Sequence, residues 1–294
     1  MDMEEFNYLA PESFDQAVVA KSQHAEKSRV IAGGTDLLLR MRDKVVAPSV
    51  LIDLRHTSLD KILISNGVMI LGASASLSQI LENSEITQHF PALQTACREF
   101  AGPPIRNRAT LGGNIVNASP AADLVPPLMA YDASIVLRAS GGDRALPLAE
   151  FFTGPGQSVI APDEILMEIQ IPLLPASSAA TFIKLGQRRS MAISQVNLTA
   201  RLSMNNSDCV TDARIALGAV APTPVRAHSA EDALVGEKLS EDLIRMVAKK
   251  AREEITPISD VRASLEYRLE MTEVLVRRAL IATWKKQRRT KTSG

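Results

Sequence analysis

Residues 30–41 read VIAGGTDLLLRM, and residues 109–124 read ATLGGNIVNASPAADL, so that each stretch carries two adjacent glycines after a short run of apolar or small residues. In the first stretch, residues 29–32 favour a short β-strand that stops at Gly33-Gly34, and residues 37–41 favour a short helix. A strand, a glycine turn and a helix in succession indicate part of a β-α-β unit.

Adjacent glycines also permit a particular kind of binding site. They allow positive φ angles and let a ligand approach the main chain, so that successive N–H groups can converge on a phosphate. Asp36 is the only charged residue between positions 30 and 39, and positions 109–122 carry no charge. An anion bound here would therefore be held by main-chain dipoles, and two such loops could hold one long dinucleotide. The alternative is that both glycine pairs are tight turns between elements.

Length, charge and cysteine content narrow the classes of protein. The 294 residues predict about two domains, and 33 basic against 33 acidic residues provide no net field that would attract nucleic acid. Two cysteines cannot supply the four thiolates of an iron-sulfur cluster, and an aromatic content of 4% argues against a site of stacked aromatic side chains. The sequence begins MDMEEF and has no apolar run of membrane-spanning length, which predicts a cytoplasmic protein without a membrane span.

Several familiar nucleotide-binding and catalytic motifs are missing from the sequence. It contains no G-x-G-x-x-G, no G-x-x-x-x-G-K-[ST], no H-E-x-x-H, no C-x-x-C and no G-x-S-x-G. Rossmann-type, P-loop, zinc-hydrolase and serine-hydrolase mechanisms are thereby disfavoured.

Periodicity and turn residues predict an α+β chain with antiparallel strands in its middle part. Residues 172–180, PLLPASSAA, have the composition of a linker and separate two sets of elements. Before the linker, the predicted elements are a helix at 13–25, a strand at 49–54, a hairpin at 61–73 that turns at Asn66-Gly67, two helical patches within 77–101 split by Pro91, a helix that begins at Ser119-Pro120 with Asp123 in its first turn, a hairpin at 134–147 and a strand at 165–171. After it, they are strands at 181–187, 193–204 and 209–221 and helices at 229–255 and 260–287.

Longer segments carry a specific resemblance. Residues 30–41 and 101–133 resemble the two flavin-binding motifs of the FAD subunit of molybdenum hydroxylases, the family of xanthine dehydrogenase and aerobic carbon monoxide dehydrogenase. The same family is matched by FFTGPGQSVIAPDEIL at 151–166, by FIKLGQRRSMAISQVNL at 182–198 and by ALGAVAPTPVRA at 216–227. The resemblance therefore covers nearly the whole chain in order.

The resemblance implies the fold in more detail. It implies a two-subdomain FAD-binding domain of the vanillyl-alcohol-oxidase-like type, with FAD in the cleft between subdomains 1–56 and 57–175. A smaller α+β domain, residues 176–294, with a three-stranded antiparallel sheet and helices, would follow.

The resemblance also implies the cofactor-binding residues, position by position. The first loop would wrap the FAD pyrophosphate, and the second would pass close to the flavin and the dinucleotide bridge. The implied residues are Ile31, Ala32, Gly33, Gly34, Thr35, Asp36, Leu37, Phe100, Thr110, Gly112, Gly113, Asn114, Asp123, Leu166 and Lys184. Considered without the family, Phe100 and Leu166 would be core residues, Asp123 a first-turn acid of a helix and Lys184 a solvated strand residue.

The function implied by the resemblance is electron transfer. Electrons from a molybdenum cofactor on a large partner subunit would cross 2Fe-2S clusters on a small partner subunit, reach FAD on this chain and pass to NAD, dioxygen or a quinone, in a dimer of heterotrimers. The complex would most resemble xanthine dehydrogenase, with a carbon monoxide, aldehyde or N-heterocycle dehydrogenase as another possibility. No catalytic acid or base and no metal ligand is required of this chain. A stand-alone FAD-dependent oxidase or reductase is the alternative, but the four histidines lie outside the flavin motifs.

The end of the chain, KKQRRTK at 285–291, carries five basic residues. A solvated, frayed helix end is the simpler interpretation, because basic residues suit a helix C-terminus. Docking on an acidic partner subunit is the other interpretation.

Overall fold

The computed structural model of the chain describes residues 4–188 and 191–292. The first part is a three-stranded parallel sheet with the order β1-β3-β2. Its first helix begins where the sequence predicts, because the side chain of Ser13 accepts the N–H of Gln16 at 3.3 Å. The elements of this part are β1 (Asn7–Leu9), α1 (Phe14–His24), β2 (Ser28–Ile31), α2 (Leu37–Arg42) and β3 (Val50–Asp53).

The second part is built on a five-stranded antiparallel sheet with the order β4-β5-β10-β6-β7. Its strands are β4 (Ile62–Ser65), β5 (Val68–Gly72), β6 (Ser134–Ala139), β7 (Gly142–Pro147) and β10 (Ile165–Pro172), and a small ribbon, β8 (Phe152–Gly154) with β9 (Gln157–Ser158), lies beside it. Both predicted hairpins are present. The first turns on Asn66 and Gly67, which both have positive φ angles, as a type I′ turn requires.

Six short helices occupy the long connection between β5 and β6. They are α3 (Leu77–Glu82), α4 (Ser84–His89), α5 (Pro91–Glu99), α6 (Pro103–Arg106), α7 (Leu111–Val116) and α8 (Val125–Ala130). The two helical patches predicted within residues 77–101 are three helices, because Asn83 caps α4 by accepting the N–H of Ile86. Pro91 is the first residue of α5, where its missing N–H costs nothing.

The helix predicted to begin at Ser119-Pro120 is wrong. Residues 119–124 form turns, and α8 begins only at Val125. Pro126 and Pro127 lie in the first turn of this helix, where proline is tolerated. The side chain of Ser119 accepts the N–H of Ala121 at 3.3 Å, which closes a turn and caps no helix.

The third part is an antiparallel sheet covered on one side by helices. It contains the three predicted long strands, β11 (Ser178–Gly186), β12 (Ser194–Met204) and β13 (Val210–Gly218), and a fourth strand of two residues, β14 (Val225–Arg226), that was not predicted. The helices are α9 (His228–Asp232), α10 (Glu241–Glu253) and α11 (Leu265–Thr292). The helix predicted at 229–255 is divided because Gly236 has a positive φ angle and Ser240 caps α10.

The basic end of α11 is packed on this sheet. Lys286 Nζ donates to the carbonyl oxygen of Ala180 at 2.8 Å, and the buried Gln287 side chain donates to the carbonyl oxygens of Ser177 and Leu202. The predicted fraying is therefore wrong at residues 286 and 287, and Gln287 is buried as well, whereas Lys286 is exposed as predicted. The side chains of Arg289 and Lys291 lie outside the described part of the chain.

Strand β12 joins the third part to the second. Its even-numbered residues 196–204 are apolar and pack under α10 and α11. The odd-numbered residues are polar, yet they are buried as well, because they face the second part of the molecule. Arg201 on this face bonds Asp132, which follows α8, at 2.9 Å. The two parts therefore meet through a buried polar face.

Candidate functional site

A long cleft lies between the first parallel sheet and the second part of the molecule, and the third part contributes to its edge. Its volume is about 1260 Å³, which exceeds the roughly 300–1,000 Å³ of pockets for drug-sized ligands and suits a dinucleotide. Every predicted cofactor-binding residue except Lys184 lines it. These lining residues are Ile31, Ala32, Gly33, Gly34, Thr35, Asp36, Leu37, Phe100, Thr110, Gly112, Gly113, Asn114, Asp123 and Leu166.

The first glycine loop presents main-chain donors to the cleft. Among the described residues, none accepts a hydrogen bond from the N–H groups of Gly33, Gly34, Thr35 or Asp36. Gly34 has a φ angle of +71°, the left-handed conformation that such a concave run of amides requires. The four amides of this loop therefore have no acceptor within the described residues and are available to a ligand in the cleft.

The second glycine loop has a different structure from the one predicted. It is the start of α7, with Thr110 as the N-cap. The N–H of Leu111 donates to Ala75, that of Gly112 donates to Ala73 at 2.8 Å, and that of Gly113 donates to Thr110 Oγ1 at 3.1 Å. These amides are not available to a ligand, and the prediction that both loops offer free N–H groups is wrong for the second loop.

The glycines in both loops serve close packing. A Cβ atom on Gly112 would lie 2.7 Å from the Cβ and carbonyl oxygen of Ala73, so that glycine lets α7 approach the end of β5. A Cβ atom on Gly33 would lie 1.8 Å from the carbonyl oxygen of Arg108, so that the first loop rests directly on the chain that leads into α7. The two loops thus form one continuous wall. A Cβ atom on Gly113 would meet a single atom, the side-chain Oγ1 of Thr110 at 2.9 Å, and Gly113 is exposed to the cleft.

The cleft also contains polar atoms that lack a partner. Ser74 Oγ and Asn114 Oδ1 are buried, line the cleft and make no hydrogen bond. Buried polar atoms without a partner are costly, so these two positions fit a ligand that brings its own hydroxyl or amide groups. The hydroxyl-rich ribityl and ribose parts of FAD would meet that requirement.

Basic side chains that the sequence analysis did not identify also line the cleft. Arg29 lies at the start of β2, and Arg40 on α2 donates to Asn117 at 3.1 Å. Lys21 is buried at the same end, and burial, aided by the charge of Arg29, lowers the pKa of its ammonium to about 8. An anion in the cleft would therefore be stabilised by full charges as well as by main-chain dipoles. The spacing of Asp36 and Arg40, one helical turn apart, is the signal that could have indicated Arg40.

Asp123 and Lys184 lie together at the edge contributed by the third part. The Lys184 ammonium is 2.6 Å from Asp123 Oδ2, and both side chains are more than nine-tenths buried. Asp123 Oδ1 accepts from Asn197 Nδ2 at 2.8 Å and from the hydroxyl of Ser194. Asp123 is therefore not a first-turn acid of a helix. Lys184 lies in a strand, but its side chain is not solvated. Asp123 faces the cleft, and Lys184 lies behind it.

Two family models account for nearly the whole chain. Residues 4–174 match the FAD binding domain in molybdopterin dehydrogenase, and residues 181–283 match the CO dehydrogenase flavoprotein C-terminal domain. The chain belongs to the FAD-binding subunits of the molybdenum hydroxylases. Among curated proteins, it is 30% identical to the xanthine dehydrogenase FAD-binding subunit of Escherichia coli O157:H7, over 86% of this chain and 88% of that protein. It is 31% identical to the glyceraldehyde dehydrogenase medium chain of Sulfolobus acidocaldarius, over 94% and 97% of the two chains.

Solved structures agree with this assignment. A chain of the carbon monoxide dehydrogenase from Hydrogenophaga pseudoflava, in a form that lacks the Mo-pyranopterin moiety, superposes with a TM-score of 0.93 at 29% identity, over 97% of this chain and 99% of that one. A chain of quinoline 2-oxidoreductase from Pseudomonas putida 86 superposes with a TM-score of 0.91 at 29% identity, over 98% and 99%. The FAD-binding subunit therefore has the two-domain flavoprotein fold implied by the sequence. Within the described residues, no helix is long and apolar enough to cross a membrane.

Proposed function

We propose that this chain carries electrons within a xanthine dehydrogenase-like complex. It would receive them from 2Fe-2S clusters on a small subunit, which in turn are reduced by a molybdenum cofactor on a large subunit, and pass them through FAD to NAD. The observation that carries the proposal is the dinucleotide-sized cleft whose wall combines free amides at residues 33–36 with two arginines. The clusters are assigned to a partner because the two cysteines here are too few to ligate one, and burial raises the pKa of the Cys97 thiol to about 12.

Each part of the cleft has a role in holding the cofactor. Bound FAD would supply the redox chemistry, since its ring takes up and releases electrons. The amides of residues 33–36 would donate to the pyrophosphate, and Arg29 and Arg40 would offset its charge. Ser74 and Asn114 would take the hydrogen bonds that they now lack. Phe100 and Leu166, which pack on the core, would shield the flavin ring from water.

We also propose the organisation around this chain. The boundary between the FAD-binding domain and the C-terminal domain lies at residues 175/176, which is supported by the end of β10 at Pro172 and the start of β11 at Ser178. The assembly is a dimer of heterotrimers located in the cytoplasm, where the two free cysteines would stay reduced.

The proposal is tested by purification of the chain with its partner subunits from the native host. FAD, iron and molybdenum are then measured, together with the reduction of NAD, dioxygen and quinones by xanthine and by other substrates. Copurification of two further chains with molybdenum, iron and flavin, and NAD reduction by xanthine, is the expected result. A single yellow chain that turns over an organic substrate by itself would overturn the proposal in favour of a stand-alone oxidase.

Replacing Gly113 with valine should block the cleft without unfolding the chain. The new side chain would point into the space proposed for FAD, and valine is no worse than glycine inside a helix such as α7. We expect the affinity for FAD to fall at least about tenfold, which corresponds to 1.4 kcal/mol. The melting temperature of the cofactor-free protein should fall by only a few degrees, because the new Cβ atom would lie 2.9 Å from Thr110 Oγ1 and disturb only the cap of α7. Flavin fluorescence released on denaturation measures the bound FAD.

The matched control is Gly141→Val in the turn between β6 and β7. No atom lies within 4 Å of a Cβ placed on Gly141, and the turn is remote from the cleft wall. This variant should retain FAD fully. Normal flavin content in a folded Gly113→Val variant would show that the flavin does not pass this part of the cleft.

A further inference from the structure

The C-terminal end of α5 leads into a bend that carries Phe100 into the wall of the cleft. The carbonyl oxygens of residues 98–101 accept no main-chain N–H from any described residue. Helix ends leave such carbonyls without intrahelical partners, so that other donors must satisfy them. Ala101 adds a positive φ angle of 41° to the bend, a conformation that a non-glycine residue adopts only when its surroundings hold it there.

Two cationic side chains donate to these four carbonyls. Arg106 Nη1 lies 2.9 Å from the carbonyl oxygen of Phe100 and 3.3 Å from those of Arg98 and Ala101. Lys184 Nζ lies 3.4 Å from the carbonyl oxygen of Glu99. Positive charge at a helix C-terminus is also favourable because of the helix dipole. The bend is thus held around one guanidinium group, with support from the lysine that pairs with Asp123.

We propose that Arg106 is a positioning residue for the flavin and acts through Phe100. Arg106 itself is not part of the cleft wall, whereas Phe100 and its neighbours Ala101 and Ile105 are. Its influence on the cofactor must therefore pass through the bend. This inference rests on the proposed function, since it takes the cleft to be the FAD site.

A double-mutant cycle on the full chain in its complex tests the inference. Arg106→Gln should raise the dissociation constant of FAD about tenfold, because hydrogen bonds from a charged donor are lost, and should change the visible circular dichroism of the bound flavin. Phe100→Leu should change the same spectrum in the same direction. The double variant should resemble the stronger single variant, because both changes remove the same ring contact. Arg106→Lys, which keeps the charge, should restore most of the wild-type spectrum.

Arg98→Gln is the matched control. It removes an equal charge from the same helix end, but the Arg98 side chain is exposed and donates to the side chain of Gln94 at 3.1 Å, away from the bend. This variant should keep the wild-type spectrum and affinity. An unchanged spectrum in Arg106→Gln, or spectral changes that simply add in the double variant, would overturn the inference.

If Arg106→Gln does not fold, Phe100→Leu carries the test, and a Phe100→Leu variant with the wild-type spectrum and FAD affinity would overturn the inference. A wild-type complex that binds no FAD would refute the proposed function itself, which separates the two failures.

Discussion

Replacing Gly33 with alanine is expected to lower the free energy of unfolding by about 3 kcal/mol, the upper end of the range for overpacking, and to abolish FAD retention. The added Cβ atom would lie 1.8 Å from the carbonyl oxygen of Arg108. A clash with main chain cannot be relieved by rotation of a side chain, so the first loop must separate from the segment that leads into α7. Because this contact makes the two loops one wall, the cleft would lose its shape. Urea denaturation and flavin content measure the two effects.

Alanine substitutions at two other glycines, Gly34 and Gly113, show whether the effect comes from the main-chain clash at Gly33 or from the loss of a flexible residue in general. Gly34→Ala forces alanine to a φ angle of +71°, which costs about 1–2 kcal/mol, but the atoms nearest to its new Cβ belong to the side chains of Leu38 and Ile31. The Cβ atom of Gly113→Ala would lie 2.9 Å from Thr110 Oγ1 and weaken the cap of α7, but alanine favours a helix over glycine by about 1 kcal/mol, so the net loss of stability should be less than about 1 kcal/mol. The order Gly33, Gly34, Gly113 in loss of stability is expected. If Gly33→Ala proved no worse than Gly113→Ala, the direct contact between the loops would be wrong.

How far the sequence predicts this fold depends on how local the deciding interactions are. The hairpin at residues 61–73 follows from Asn66-Gly67 alone, because the turn type is set by two residues that tolerate positive φ angles. The start of α1 follows from Ser13 and Gln16 in the same way. In both cases the donor, the acceptor and the φ angles lie within a few residues of each other.

The second glycine loop shows where local reasoning fails. Two glycines followed by asparagine favour a turn on propensity, because glycine is a poor helix former. The structure makes them the first turn of α7, since Thr110 caps the helix and the carbonyls of Ala73 and Ala75 accept its first amides. Those carbonyls come from more than thirty positions earlier in the chain, and no local pattern indicates them. The residues of this loop were nevertheless predicted to line the site, but that prediction came from the resemblance to a family and not from the local pattern.

Strand β12 illustrates a second limit. Its alternation of polar and apolar residues predicts a strand, and such alternation usually marks a sheet with one solvated face. All eleven residues are nevertheless buried, because the polar face packs on the second part of the molecule. Asn197 and Arg201 on this face reach Asp123 and Asp132, about 70 positions away. Sequence periodicity specifies which residues share a face, but it does not specify what covers that face.

Replacing Lys184 with methionine should lower the free energy of unfolding by about 3–5 kcal/mol, the cost of leaving a buried charge unpaired. Asp123 would keep the hydrogen bonds from Ser194 and Asn197 but lose its counterion at 2.6 Å. The additional change Asp123→Asn should recover at least about 2 kcal/mol, because it removes the unpaired charge and its amide oxygen can still accept those bonds. Chemical denaturation of Lys184→Met, Asp123→Asn and the double variant gives the coupling energy.

The exposed pair of Arg245 and Asp242 on α10 is the control for this prediction. Both side chains are more than half exposed, and water screens their attraction, so that Arg245→Met should cost less than about 1 kcal/mol. A similarly small loss for Lys184→Met would mean that water reaches the Lys184–Asp123 pair. If the large loss of unfolding free energy is observed and Asp123→Asn offsets it, the ion pair stabilises the contact between the third part of the molecule and the edge of the cleft. Because Lys184 also donates to the carbonyl oxygen of Glu99 beside Phe100, its removal should then weaken FAD binding as well, although Lys184 itself does not line the cleft.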